Sequence, residues 1–225
     1  MNNHQTNPRS FQALLSEFND AALHTAGGTI YGLWPDLTLA YVNLEWIQFA
    51  ARNGGEPQIT AEWKLGSSVL AAIAEPLRPF FLANYQRCLL ENRPWEHLYE
   101  CSSPVLYRQF HMTTYPLGDS EGLLVVNSLR HESPHTRIAR PPLVELYYNQ
   151  HGFIEQCCHC RRVRRVGADQ VWDWVPEWVG ACPPETSHGL CVPCLGYHYS
   201  SQNSNRALFA KTFSTDSESG GLPPE

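Results

Sequence analysis

An α+β domain followed by a small cysteine-rich module is the fold class that this sequence predicts, on three observations. Residues 29–42 and 95–129 break into short β-rich runs bounded by turn residues. Helical periodicities of three and four lie before and between those runs. Six of the eight cysteines then fall in residues 143–199, among them two Cys-x-x-Cys pairs. The first unit, of about 120 residues with its leading helix, has a normal size for one domain.

The elements follow in order. Phe11, Leu14, Leu15, Phe18, Ala21 and Ala22 mark one face of an amphipathic helix, with Ser10 at its N-cap and Gly27-Gly28 at its stop. That stripe serves either its own domain or a dimer contact. Residues 1–28 are thus a polar tail and an amphipathic helix. Residues 29–34 and 37–42 are strands parted by the turn signal Pro35-Asp36. Residues 44–52 form a helix stopped by Asn53-Gly54-Gly55, and a looser stretch runs to Leu65-Gly66. Residues 68–74 and 77–92 read as two further helices, with Pro76 placed to open the second. Strands at 95–101, 106–115 and 122–129 complete a five-stranded antiparallel sheet with flanking helices over residues 29–130. In the middle strand Tyr107, Phe110 and Met112 mix with Arg108, Gln109 and His111, so one face is buried. Residues 131–142 carry three prolines and no apolar periodicity and read as a linker. Residues 143–199 form the cysteine-rich module, and the Ser-, Asn- and Gly-rich residues 200–225 read as a disordered tail.

A net charge of −6 argues against bulk nucleic-acid binding and against adhesion to an anionic membrane. No apolar run approaches the length of a membrane span, and the N-terminus lacks the apolar core of a signal peptide. The expectation is a soluble cytoplasmic protein. In a reducing compartment clustered cysteines bind metal more often than they form disulfides.

Cys157 and Cys160, then Cys191 and Cys194, each present two thiolates from a tight turn, and two such pairs complete a tetrahedron. Four soft sulfur ligands suit structural zinc. Four reduced, buried cysteines or a thiol redox switch that releases zinc are the alternatives. His188, three residues before Cys191, either replaces a cysteine or orients its turn. Cys158 and His159 lie inside the first pair, and Cys182 has no partner at ligand spacing.

Several pieces of residues 29–130 resemble a PAS sensory domain of bacterial signalling proteins. They are Tyr41-Val-Asn-Leu-Glu-Trp46, Trp63-Lys-Leu-Gly66, Tyr99-Glu-Cys-Ser-Ser-Pro104, and Arg108-Gln-Phe-His-Met112 ahead of Tyr115-Pro-Leu117. The module also resembles one found after such domains: Gly152-Phe-Ile-Glu-Gln-Cys-Cys-His-Cys-Arg-Arg-Val163, Trp172-Asp-Trp-Val-Pro176 and Ser187-His-Gly-Leu-Cys-Val-Pro-Cys194. The resemblances imply a ligand or redox sensor joined to a zinc-ribbon-like element. A ligand pocket would be lined by Tyr41, Trp46, Phe49, Phe80, Phe81, Tyr85 and Phe110, each of which equally suits plain core. The reactive cysteine of a flavin photoreceptor is absent from residues 66–74. The haem-ligating histidine of the long helix is absent from residues 77–92, with His97 just beyond. Neither flavin nor haem is expected, and His111 reads as a packed histidine.

Arg161, Arg162, Arg164 and Arg165 either contact phosphate, on nucleic acid or another partner, or pair with carboxylates such as Asp169, Asp173 and Glu177. Trp172, Trp174 and Trp178 read as a mini-core over the metal turn. No nucleophile elbow, phosphate loop or metalloprotease pattern occurs, so no enzyme is expected. The output is then non-covalent, through a protein partner or a homodimer. A regulator touching nucleic acid through residues 161–165 is the alternative.

Overall fold

The computed structural model describes residues 10–168 and 170–199. The expected tail at 200–225, most of residues 1–10, and Asp169 lie outside the described residues.

Two sheets form, and the first is α+β in character. Strands β1 (Thr29–Leu33), β2 (Leu39–Val42), β3 (Trp95–Glu100), β4 (Leu106–Leu117) and β5 (Gly122–Pro134) make an antiparallel sheet in the order β2-β1-β5-β4-β3. Alternation sorts its two faces. Tyr31, Leu33, Leu123 and Val125 turn to one core, and Ile30, Leu124 and Val126 to another.

The expected N-terminal helix is broken. Helix α1 (Phe11–Leu14) tightens into a 3₁₀ turn, Phe18 is extended, and Asn19 caps a separate α2 (Asp20–Thr25) by accepting from the Ala22 amide. Phe11, Leu14 and Leu15 cover the chain's own sheet. The Phe11 ring lies where a Cβ on residue 32 would stand, so only Gly32 permits that contact.

Helix α3 (Leu44–Arg52) ends at Asn53 as its sequence foretells. The stretch read as loose contains α4 (Gln58–Glu62), and residues 68–74 hold only a 3₁₀ turn at Val69–Ala72. Helix α5 (Arg78–Glu91) packs over the inner face and ends at Asn92, which is left-handed at φ 48°. The residues read as a linker begin as strand: β5 runs to Pro134, opposite Leu106. Their charged side chains conceal the pairing, because a solvent-facing strand end needs no apolar alternation.

Beyond α6 (Val144–Tyr147), strands β6 (Ile154–Cys157), β7 (Val163–Arg164), β8 (Trp172–Asp173) and β9 (Thr186–Gly189) form the second sheet, ordered β8-β7-β6-β9. Helices α7 (Glu177–Gly180) and α8 (Val192–Cys194) complete the module. No helix among the described residues is long and apolar enough to cross a membrane.

Asn43 locks three elements together. Its side-chain oxygen accepts from the Ile30 and Trp46 amides, and its amide donates to the Gly28 carbonyl at 2.9 Å. Asn43→Ala removes an N-cap and orphans a buried strand amide. It will lower unfolding free energy by about 2–4 kcal/mol in urea titrations.

Candidate functional site

Backbone pairing assembles the four cysteines. Cys157 ends β6, and its amide donates to the Arg162 carbonyl at 2.8 Å, closing a turn in which Arg161 is left-handed at φ 62°. The Cys158 amide donates to the Gly189 carbonyl at 2.9 Å, and parallel pairing sets Cys157 beside Gly189. The second pair therefore arrives over the first. Cys191 caps α8, and its amide donates to the Cys157 sulfur at 3.4 Å.

All four sulfurs are buried and lie within 4.8 Å of one another, a group that can hold a metal ion. A tetrahedron with metal–sulfur bonds of about 2.3 Å has edges of about 3.8 Å. Cys160 and Cys191 stand 3.8 Å apart at sulfur. A disulfide would need about 2.05 Å. Cys157 is held below the usual thiol range, chiefly by hydrogen bonding with Cys160, and the same contact holds Cys160 above it.

The remaining sequence candidates fall outside this group. His188 is exposed on β9, and Cys158 is half-buried beside the cluster. Cys182 is exposed and donates to Thr186 Oγ1 at 3.1 Å. Arg164 pairs with Glu155 at 2.7 Å and Arg165 with Asp173 at 2.8 Å, while Arg161 reaches Gln156. Glu155 takes the place expected of Glu177, because β6 sets it beside β7. Arg162 is half-buried. The tryptophans do not act as one lid. Trp178 joins Tyr147, Ile154, Val163 and Val175 in a separate core, Trp174 meets His135 and Arg137, and Trp172 packs against the cluster that contains the sulfurs.

The module is seated on the first domain by residues inside the expected linker. Arg137 makes a bidentate pair with Glu100 at 2.8 and 2.7 Å and donates to the Cys160 carbonyl at 3.1 Å. Its guanidinium lies between the Tyr107 and Trp174 rings, 5.6 and 4.9 Å from their centroids. Desolvation opposes its charge and is outweighed by Glu100, so its pKa stays raised. On the other flank Tyr199 meets the Phe80 ring at 4.9 Å and bonds His159 at 3.0 Å, and His198 bonds the Leu98 carbonyl.

Between α3, α5 and the inner face of the sheet lies a cavity of about 390 Å³. Trp46, Phe49, Phe81 and Tyr85 line it. Tyr41 does not, since it faces the opposite cluster with Phe11 and Leu14. Phe80 also turns away, toward Trp95 and Tyr199, because it lies about 100° round the helix from Phe81. Phe110 borders an adjoining chamber. Tyr31, Tyr99, Met112 and Asn127 line the cavity without having been foreseen. Asn127 was legible as a polar residue continuing the inward register of Leu123 and Val125. The Tyr31 and Tyr85 hydroxyls meet at 3.2 Å, and Tyr99 donates to Asn127 at 3.0 Å. Burial pushes the Tyr31 phenol up to about 12 and Tyr85 well above its usual value, so both are neutral. Cys88 is buried nearby, its thiol donating to the Thr114 carbonyl, and His111 lies on the surface beside Glu96.

No family matches the chain, and no curated protein matches it. Solved structures of similar shape include the photoactive yellow protein domain of the sensor histidine kinase Ppr from Rhodospirillum centenum. It is 10% identical, covers 51% of this chain and 95% of its own, and has a TM-score of 0.35. Another is the PAS domain of an HTR-like protein from Haloarcula marismortui, 22% identical, covering 48% and 91%, with a TM-score of 0.29.

Two outcomes follow. Arg137→Met strands the buried Glu100 carboxylate and will cost about 3–5 kcal/mol, read by chemical denaturation. His97 is 7% exposed, and burial, with His198 adding, pushes its pKa down to about 4. A lowered histidine pKa means that the unfolded chain protonates first. Stability is therefore full above about pH 6.5 and falls toward pH 4, by up to about 1.4 kcal/mol per pH unit. Urea titrations of His97→Phe at pH 7 and pH 5 will show a smaller loss than those of the parent.

Proposed function

We propose that this chain is a non-enzymatic signal-sensing or adaptor protein of the PAS type. Its cavity takes a small organic ligand, and its four cysteines hold a structural zinc ion. The observation that carries this reading is that cavity and sulfurs belong to one hydrophobic cluster. Tyr31, Tyr85 and Met112 are continuous with Phe80, Tyr199 and the four cysteines. A ligand that moves α5 therefore presses on the module, which relays the change to a protein partner or a second copy. The sheet order and its flanking helices agree with the PAS resemblance of residues 29–130.

Cys157, Cys160, Cys191 and Cys194 would hold zinc, and the ion would supply a crosslink for a module too small to fold on its own core. Four thiolates leave no open position for water or substrate, so the site offers no Lewis-acid chemistry. Two of the four clustered arginines are matched by carboxylates, which favours protein contact over nucleic acid. We place the chain in a reducing cytoplasm, where clustered cysteines bind metal more often than they form disulfides.

Metal analysis of protein purified without a chelating column tests the reading. The expected result is about one zinc per chain, lost in Cys157→Ser and in Cys191→Ser. Metal-free protein with titratable thiols at Cys157, Cys160, Cys191 and Cys194 would sink the zinc site and make the pairs a redox switch.

A further inference from the structure

The cavity is not the only space beside the inner face of the sheet among the described residues. A second chamber of about 310 Å³ adjoins it, and the two share Thr29, Phe49, Asn53 and Asn127 as lining. Their chemistries differ. The inner chamber is walled mostly by aliphatic and aromatic side chains, and its Tyr31–Tyr85 phenol pair is uncharged. The outer chamber holds two arginines and two glutamates, paired as Arg52 with Glu45 and Arg108 with Glu132.

Arg108 lines the outer chamber and is tied to the shared residue Asn53. Its side chain is only 14% exposed. Its Nε donates to Glu132 at 2.7 Å, and its Nη1 donates at 2.8 Å to Asn53, which lines both chambers. Among the described residues its Nη2 donates to nothing. A guanidinium has five N–H donors in a planar fork suited to carboxylates, so this edge retains capacity for one more oxygen anion. The fork is also held in place: the guanidinium carbon lies 6.0 Å from the Phe49 ring centroid, and Glu132 holds Nε. Glu45 and Glu132 limit what can enter, since a dianion would meet two like charges at close range.

We infer that the ligand is an apolar monocarboxylic acid, its body in the inner chamber and its carboxylate on Nη2 of Arg108. The inference rests on the ligand-binding reading of the cavity and adds to it a head group, a charge and a residue that reads them. The combined space suits a small organic molecule, since ligand cavities commonly span about 300–1,000 Å³.

Decanoic acid and its methyl ester, titrated into the full chain by calorimetry, separate the two layers of this account. The acid is expected to bind about ten- to a hundred-fold tighter than the ester, the range of one hydrogen bond to a charged group in a desolvated site. Arg108→Gln should bring the acid down to the affinity of the ester. Glu132→Gln, which releases the Nε edge, should tighten the acid several-fold and leave the ester unchanged, so the test does not depend on one variant. Equal binding of acid and ester, or indifference to both substitutions, overturns the head-group assignment while the cavity reading stands. Decyl phosphate binding as tightly as the acid overturns the monoanion selectivity. Binding of neither probe overturns this inference and, with it, the reading of the cavity as an apolar ligand site.

Discussion

Four cysteine sulfurs within 4.8 Å of one another are the constraint on which residues 143–199 depend. The strands around them are two to four residues long. The module's separate core is five buried side chains. Neither the short ladders nor that core is enough for independent stability, because small units bury too little surface to offset chain entropy. Holding Arg161 in a left-handed turn adds a cost that something must offset. A proposed zinc crosslink supplies it, and it explains why both pairs are delivered by turns locked through backbone hydrogen bonds. The same turns place the Cys160 carbonyl where Arg137 can reach it.

That contact makes the two sheets one body rather than two units on a tether. Arg137 and Glu100 are both largely excluded from water, at 14% and 7% side-chain exposure. Burying either charge alone would be expensive, so each requires the other. The pair is bidentate, it is covered by Tyr107 and Trp174, and a third donor is used on the module's backbone. On the far side Tyr199 reaches the Phe80 ring of α5, one position from the cavity residue Phe81. The cysteine module and the cavity wall thus meet on one helix.

Much of this was legible in the sequence where local chemistry decides the outcome. The two Cys-x-x-Cys pairs named the sulfur cluster, and β-rich runs between turn residues located all five strands of the first sheet. What escaped depends on partners distant in sequence. The strand end at 131–134 pairs through its backbone while its side chains stay wet, so no periodicity reveals it. Asn19 splits the first helix by capping a second one, a signal masked by the apolar stripe running through it. Phe80 and Phe81 look alike in sequence, yet one seats the module and the other walls the cavity. Arg137 looked like part of a linker because nothing local marks Glu100 as its partner. Tyr31 and Asn127 required the inward register of two strands to be known.

In the proposed function the four-cysteine metal site and the cavity form one mechanical unit. Hydrogen–deuterium exchange before and after chelation of the metal-loaded protein reads this directly, because local opening is reported amide by amide. The account predicts that exchange rises in the cysteine turns and also in β3 and the first half of α5, through Arg137 and Tyr199. A rise confined to residues 154–194, with β3 and α5 unchanged, would contradict it.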